Sequence, residues 1–214
     1  MDFFRPDSEI MIFLGKVADF IVLNLLCLVC SLPIITIGAA FTARNYAAMK
    51  IVRREEPDAV KSYFKSFREN FKQITAVWSG CLLVIGILGY DWYNVLWGSS
   101  KNMILAGKIA LLVMSFILWA VIYCMFYFEA RFKVSAGELI KASMLMAVLN
   151  FPKMVVILSS IMLSFLICAW YINWGLGIWF FTSTTLLYFI SRDFNSQLDR
   201  LIKGEEQNEG IEAG

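Results

Sequence analysis

The sequence predicts an all-α polytopic membrane protein, and three observations carry that prediction. Of its 214 residues, 59% are hydrophobic and only 17% charged. Mean hydropathy is +0.67, far above the globular norm. The apolar residues fall into runs close to the length of a bilayer-crossing helix, about 20 residues each. A chain this long accommodates roughly five or six such helices with short connections, and leaves no room for a separate soluble catalytic domain.

Taken in order, the first span is expected at about Ile10 to Leu32, ending where Pro33 removes a backbone donor and turns the chain. The second, Ile34 to Val52, is weaker because it carries Arg44 and Asn45. Four more follow at about Ile74–Val95, Met103–Phe128, Met154–Trp170 and Trp174–Ile190. The N-terminus is not read as a cleavable signal, since acidic residues precede the first apolar run and no small-residue cleavage site follows it. Residues 1–203 form one helical membrane domain, and the acidic stretch Gly204 to Gly214 has the composition of a disordered tail.

Cations set the expected orientation. Arg44, Lys50, Arg53, Arg54, Lys61, Lys65, Arg68 and Lys72 crowd one connection, and Arg131, Lys133, Lys141 and Lys153 mark the next. The connection near Gly98 to Asn102 has only Lys101, and that near Tyr171 to Asn173 has none. Lysine and arginine concentrate on the cytoplasmic side of short loops, so both termini are expected in the cytosol, with six spans. Were the Ile34 helix only re-entrant, the count would drop to five and the N-terminus would lie outside.

Between the second and third spans lies SYFKSFRENFKQ, Ser62 to Gln73. On a helical wheel Val60, Tyr63, Phe64, Phe67, Phe71 and Ile74 fall within roughly a 100° arc, with Lys61, Lys65, Ser66, Glu69 and Lys72 on the remainder. Pro57-Asp58 supplies a helix start, and nothing breaks the pattern before the third span. Three roles suit such a helix: resting on anionic lipid, packing beneath the protein's own helices, or docking to a partner through Tyr63, Phe64, Phe67 and Phe71, steered by Lys61, Lys65, Arg68 and Lys72.

Two weaker patterns stand beside it. Asp19 precedes Pro33 by about as many residues as Arg44 follows it, so an antiparallel hairpin places them at similar depth as an ion-pair candidate. Asn70-Phe71 and Asn150-Phe151 each enter an apolar run, the outline of a faint direct repeat, and the Gly137 to Phe151 helix, apolar nearly all round, is expected to be buried. The clusters Tyr90 to Trp97 and Trp170 to Trp179 read as an aromatic belt at the outer interface, with sugar stacking as the sharper alternative.

Catalysis has little support. The chain has no histidine, no glycine-rich phosphate loop and no recognisable carboxylate pair, so no enzyme, cofactor or metal site is expected. Cys27, Cys30, Cys81, Cys124 and Cys168 all sit in apolar runs and read as small buried side chains. A net charge of +2 gives no argument for nucleic acid.

The segments NLLCLVCSLPIITIGAA (Asn24 to Ala40), MKIVRREE (Met49 to Glu56) and SYFKSFRENFKQ, with Ala130 to Phe132 and Asn150 to Pro152 further on, resemble the YesL family of small bacterial membrane proteins. That resemblance implies a Gram-positive cell-membrane protein associated with uptake of complex carbohydrates, beside sugar-importing ABC permeases and sensor kinases, with no enzymatic activity attached. The expected function is therefore an accessory or regulatory partner of a carbohydrate ABC importer, acting on its permeases or ATPase. The alternatives are an autonomous small-solute transporter or channel, and a membrane partner of a sensor kinase.

Overall fold

A computed structural model describes residues 9–53, 55, 58–98, 104–170, 188–193 and 195–196. The described residues are predominantly helical, with no strand among them. The helices are α1 (Glu9–Cys30), α2 (Ile37–Arg53), α3 (Ala59–Leu96), α4 (Leu105–Arg131), α5 (Ala136–Leu149) and α6 (Phe151–Trp170), with a single 3-10 turn, Ile34–Thr36, between the first two.

Each boundary has a local cause. After Pro33, the Thr36 hydroxyl lies 2.7 Å from the Cys30 carbonyl and 2.8 Å from that of Pro33, engaging an acceptor that the end of α1 leaves without an intrahelical donor. Lys50 and Arg53 occupy the last turn of α2, where the helix dipole favours cations. Asp58 caps α3 by accepting from the Lys61 backbone N–H at 3.0 Å. Ser135 and Glu138 form a reciprocal capping box at the start of α5.

The organising element is α2. Gly38, Ala39, Ala40, Ala43, Ala47 and Ala48 are all buried, and α1, α3 and α4 pack around them. Small side chains permit close axial approach, which a leucine-rich helix would prevent. One core joins Phe20, Leu23 and Cys27 of α1 to the alanines of α2 and to Tyr63. A second gathers Met49, Cys124, Tyr127, Met146 and Met154, and a third Ala39, Ile74, Trp78, Met125, Phe126 and Leu139.

Register between the helices locates the crossing segments. The tip of the α1–α2 hairpin meets α3 at Trp78, whose indole N–H donates to the Ile34 carbonyl at 2.9 Å. Beyond Trp78, α3 continues to Leu96 and meets α4, where Trp92 donates to Ser115 Oγ at 3.0 Å. Leu83, Ile87, Tyr90, Ile109, Leu112 and Met114 of this distal hairpin are exposed. Among the described residues two helices are long and apolar enough to cross a membrane, α3 and α4. A third crossing results only if α5 and α6, bent by 92° at their junction, count as one span.

Six spans are therefore not supported. The expected second span is instead the centre of the bundle, covered by protein on most sides, and α3 fuses the amphipathic segment to the third span. The expected fifth span is angled sharply away from the helix before it, and most of Trp174–Ile190 lies outside the described residues, as do Tyr171 to Trp179 of the second aromatic cluster and the tail from Gly204. The repeat also fails: Asn70 lies mid-helix in α3, whereas Asn150 caps α5 at the bend. Nor is α5 buried all round, because Met144, Leu145, Val148 and Leu149 face outward.

Candidate functional site

The stretch Ser62 to Gln73 is helical, as its periodicity predicts, but its buried face is rotated from the aromatic arc. Ala59, Ser62, Tyr63, Ser66, Asn70, Ile74 and Trp78 are the buried residues. Apart from the adjacent Ser62 and Tyr63 they are spaced by three and four and form one face along the helix, from which Ala59 and Tyr63 pack against the alanines of α2. Asn70 Nδ2 donates to Ser66 Oγ at 3.1 Å, one turn apart on this face.

The four rings divide. Tyr63 is fully buried, with its hydroxyl directed at the Leu26 carbonyl 3.5 Å away, so it holds α1 and cannot serve a partner. Phe67 stacks on Tyr63 with ring centroids 6.2 Å apart, Phe71 follows at 5.4 Å from Phe67, and both are half-buried. Phe64 alone among them is truly exposed, at 49%. Packing beneath the protein's own helices thus accounts for most of the aromatic stripe.

The cations all face outward: Lys61, Lys65, Arg68 and Lys72 are exposed and line a groove with Phe64 and the outer edges of Phe67 and Phe71. At the far end of this face Glu69 accepts from Lys133 at 2.8 Å, and Gln73 donates to the Val134 carbonyl at 2.6 Å, tying α3 to the α4–α5 connection. That hydrogen bond and the opposite charge hold the Glu69 carboxyl below its ordinary value and the Lys133 ammonium above its own.

Asp19 and Arg44 do not pair. Arg44 Nη1 donates instead to Asn24 Oδ1 at 3.4 Å, and its guanidinium lies 4.5 Å from the centre of the Phe41 ring. Arg44 meets α1 at Asn24, five residues and about 7.5 Å of helix rise from Asp19. Asp19 sits roughly 140° around α1 from Asn24 at 100° per residue, so the two cannot present to the same neighbour. Ser62, Ser66, Asn70 and Asn24 are the structurally important polar residues that the wheel does not single out. Their signal is the four-residue repeat of 62, 66, 70, 74 and 78 on one helix face.

Residues 20–92 match the model of a family described as a protein of unknown function, DUF624. The matched stretch, about a third of the chain, runs from within α1 through α2 and nearly to the end of α3. No curated protein and no solved structure matches the chain.

Proposed function

We propose that this protein is a cell-membrane accessory or regulatory partner of a carbohydrate ABC uptake system, with the outer face of α3 as its docking surface on the cytosolic side. The YesL-like segments from Asn24 to Gln73 lie inside the stretch matched by the DUF624 family model, and the association with sugar importers comes from that resemblance. The single observation that carries the docking role is the continuity of α3. Its 38 residues span about 57 Å at 1.5 Å per residue, nearly twice the roughly 30 Å of a hydrocarbon core. With Ile74–Val95 crossing the bilayer, the amphipathic segment extends away from the membrane along the same helix. Lys61 and Lys65 then stand on the order of 20 and 13 Å beyond Ile74, past the headgroup layer, whereas Lys72, about 3 Å from Ile74, lies at headgroup level.

An interfacial helix would need a break between its two halves, and α3 has none. An exposed ring flanked by Lys61, Lys65 and Arg68 fits an acidic protein surface, with charge steering the encounter and Phe64 supplying the apolar contact. No catalytic step, cofactor or nucleic acid belongs to this reading, and the excess of cations on this face supports a cytosolic position for it.

The test is a mild-detergent pull-down of the tagged chain from native membranes, with mass spectrometry of accompanying proteins. Importer permeases or their ATPase at near-stoichiometric yield, lost on Phe64→Ser with Lys65→Glu, support the proposal. Recovery of the chain alone overturns it in favour of an autonomous transporter, and recovery of a sensor kinase moves the partner to signalling.

A further inference from the structure

Arg44 is a cation inside the bundle without a counter-charge among the described residues. It lies at the middle of α2, where α1, α3 and α4 converge, and pairs with no carboxylate among the described residues. Its nearest polar partner is the neutral amide oxygen of Asn24, 3.4 Å from Nη1, on a side chain that is itself 3% exposed. Nε is buried and has no hydrogen-bond partner. Phe41 covers one face of the guanidinium at 4.5 Å.

An arginine does not escape this position by losing its proton, because it stays charged at every physiological pH. Its five N–H donors form a rigid fork matched to two acceptor oxygens, and an amide at long range neither neutralises the charge nor fills the fork. The residue is partly exposed as a whole, so the group is reachable from outside the core. A partly buried guanidinium with its Nε enclosed and unpartnered, a ring behind it and a neutral acceptor on one side is the arrangement of an anion receptor awaiting its ligand.

We infer that Arg44, oriented by Asn24 and Phe41, binds a phosphate-type oxyanion, supplied either by a lipid headgroup or by a free phosphate ester. The inference is independent of the proposed importer partnership, since it concerns a side chain of α2 that meets Asn24 of α1, not the Lys61 to Lys72 face of α3, and needs no partner protein.

The test uses the purified full chain. Thermal unfolding in detergent is followed with added inorganic phosphate and with sodium chloride at matched ionic strength, and native mass spectrometry is run on chain extracted from membranes containing phosphatidylglycerol. The expected result is either a saturable rise in unfolding temperature with phosphate beyond that with chloride, or retention of one phospholipid per chain. The first identifies a free phosphate ester as the source, and the second, without a response to added phosphate, a headgroup. Arg44→Gln should weaken the response or the retention roughly tenfold or more, and Arg44→Lys should fall between. Asp19→Asn should leave both unchanged. If Arg44→Gln does not fold, the wild-type comparison of phosphate with chloride and the lipid count still decide. Equal responses to phosphate and chloride with no retained phospholipid overturn the inference, as does a folded Arg44→Gln that behaves as wild type.

Discussion

Substituting Gly38 by alanine tests the packing on which the fold depends. A Cβ at position 38 would sit 2.9 Å from Trp78 Cβ and 3.1 Å from its Cγ. Carbon atoms in contact prefer about 3.5–4.0 Å, so α2 and α3 must move apart by roughly 0.6 Å. The nearest atom is a Cβ fixed to the backbone, and no rotamer change removes it. The same displacement stretches the Trp78–Ile34 hydrogen bond from 2.9 Å toward the limit of useful geometry.

Overpacking of this kind costs about 1–3 kcal/mol, and weakening the hydrogen bond about 1 more. Better helix propensity returns about 1 kcal/mol. The expected net loss is therefore about 1–3 kcal/mol, measured as the free energy of unfolding in mixed detergent. Gly80 is the internal control, lying in α3 two residues after Trp78 with nothing within 4 Å of an added Cβ. Gly80→Ala should be neutral or stabilising by up to about 1 kcal/mol. If Gly38→Ala is as stable as Gly80→Ala, then α2 and α3 do not approach closely at Trp78, and the placement of the hairpin tip against α3 is wrong.

Three further outcomes follow from the same geometry. Asp58→Ala removes the cap on α3 and should cost about 1 kcal/mol of unfolding free energy, with Asp58→Asn retaining most of it. Tyr63→Ser should destabilise by about 3–5 kcal/mol as a core truncation, whereas Phe64→Ser one residue later should stay within about 0.5 kcal/mol, and a reversed order would place the buried face elsewhere. The Glu69–Lys133 pair defines a pH window. The lowered Glu69 contributes stability that is present above its ordinary value of 4.5 and is lost as pH falls through its depressed value. The raised Lys133 contributes below its ordinary 10.5 and is lost as pH rises through its elevated value. Wild type and Lys133→Ala should therefore differ most near neutrality and converge at both extremes, so a pH-independent difference in unfolding temperature would show that the pair contributes nothing.

How far the sequence foretold this structure depends on which physical quantity each signal reports. The start of α3 was legible because capping is local: an acceptor side chain at Asp58 followed by an uninterrupted 3.6-residue pattern determines where the helix begins and that it continues. The helical state of α1, α4 and α6 was legible for a similar reason. What covers an apolar face is not local. Hydropathy scores Leu83 and Leu139 alike, yet one is 73% exposed and the other fully buried, since only the register between helices decides which meets protein and which meets solvent or lipid. The count of six spans failed on that point.

The role of α2 shows the same limit from the other side. Arg44 and Asn45 lower the apparent fitness of Ile34–Val52 as a lipid-facing span, and that reading is sound as far as it goes. The alanines at 39, 40, 43, 47 and 48 carry the complementary message, that this helix is shaped for close neighbours on several sides at once, as its burial against α1, α3 and α4 bears out. A helix enclosed by protein tolerates a cation where a lipid-exposed one does not, provided the charge finds acceptors. Helix rise alone made Asp19 the natural partner, but rise fixes depth and not direction. Phe20, Leu23, Asn24 and Cys27 are the buried positions of α1, which places Asn24 on the face turned to α2 and leaves Asp19 off it. Arg44 accordingly meets the Asn24 amide, and no carboxylate among the described residues completes the pair.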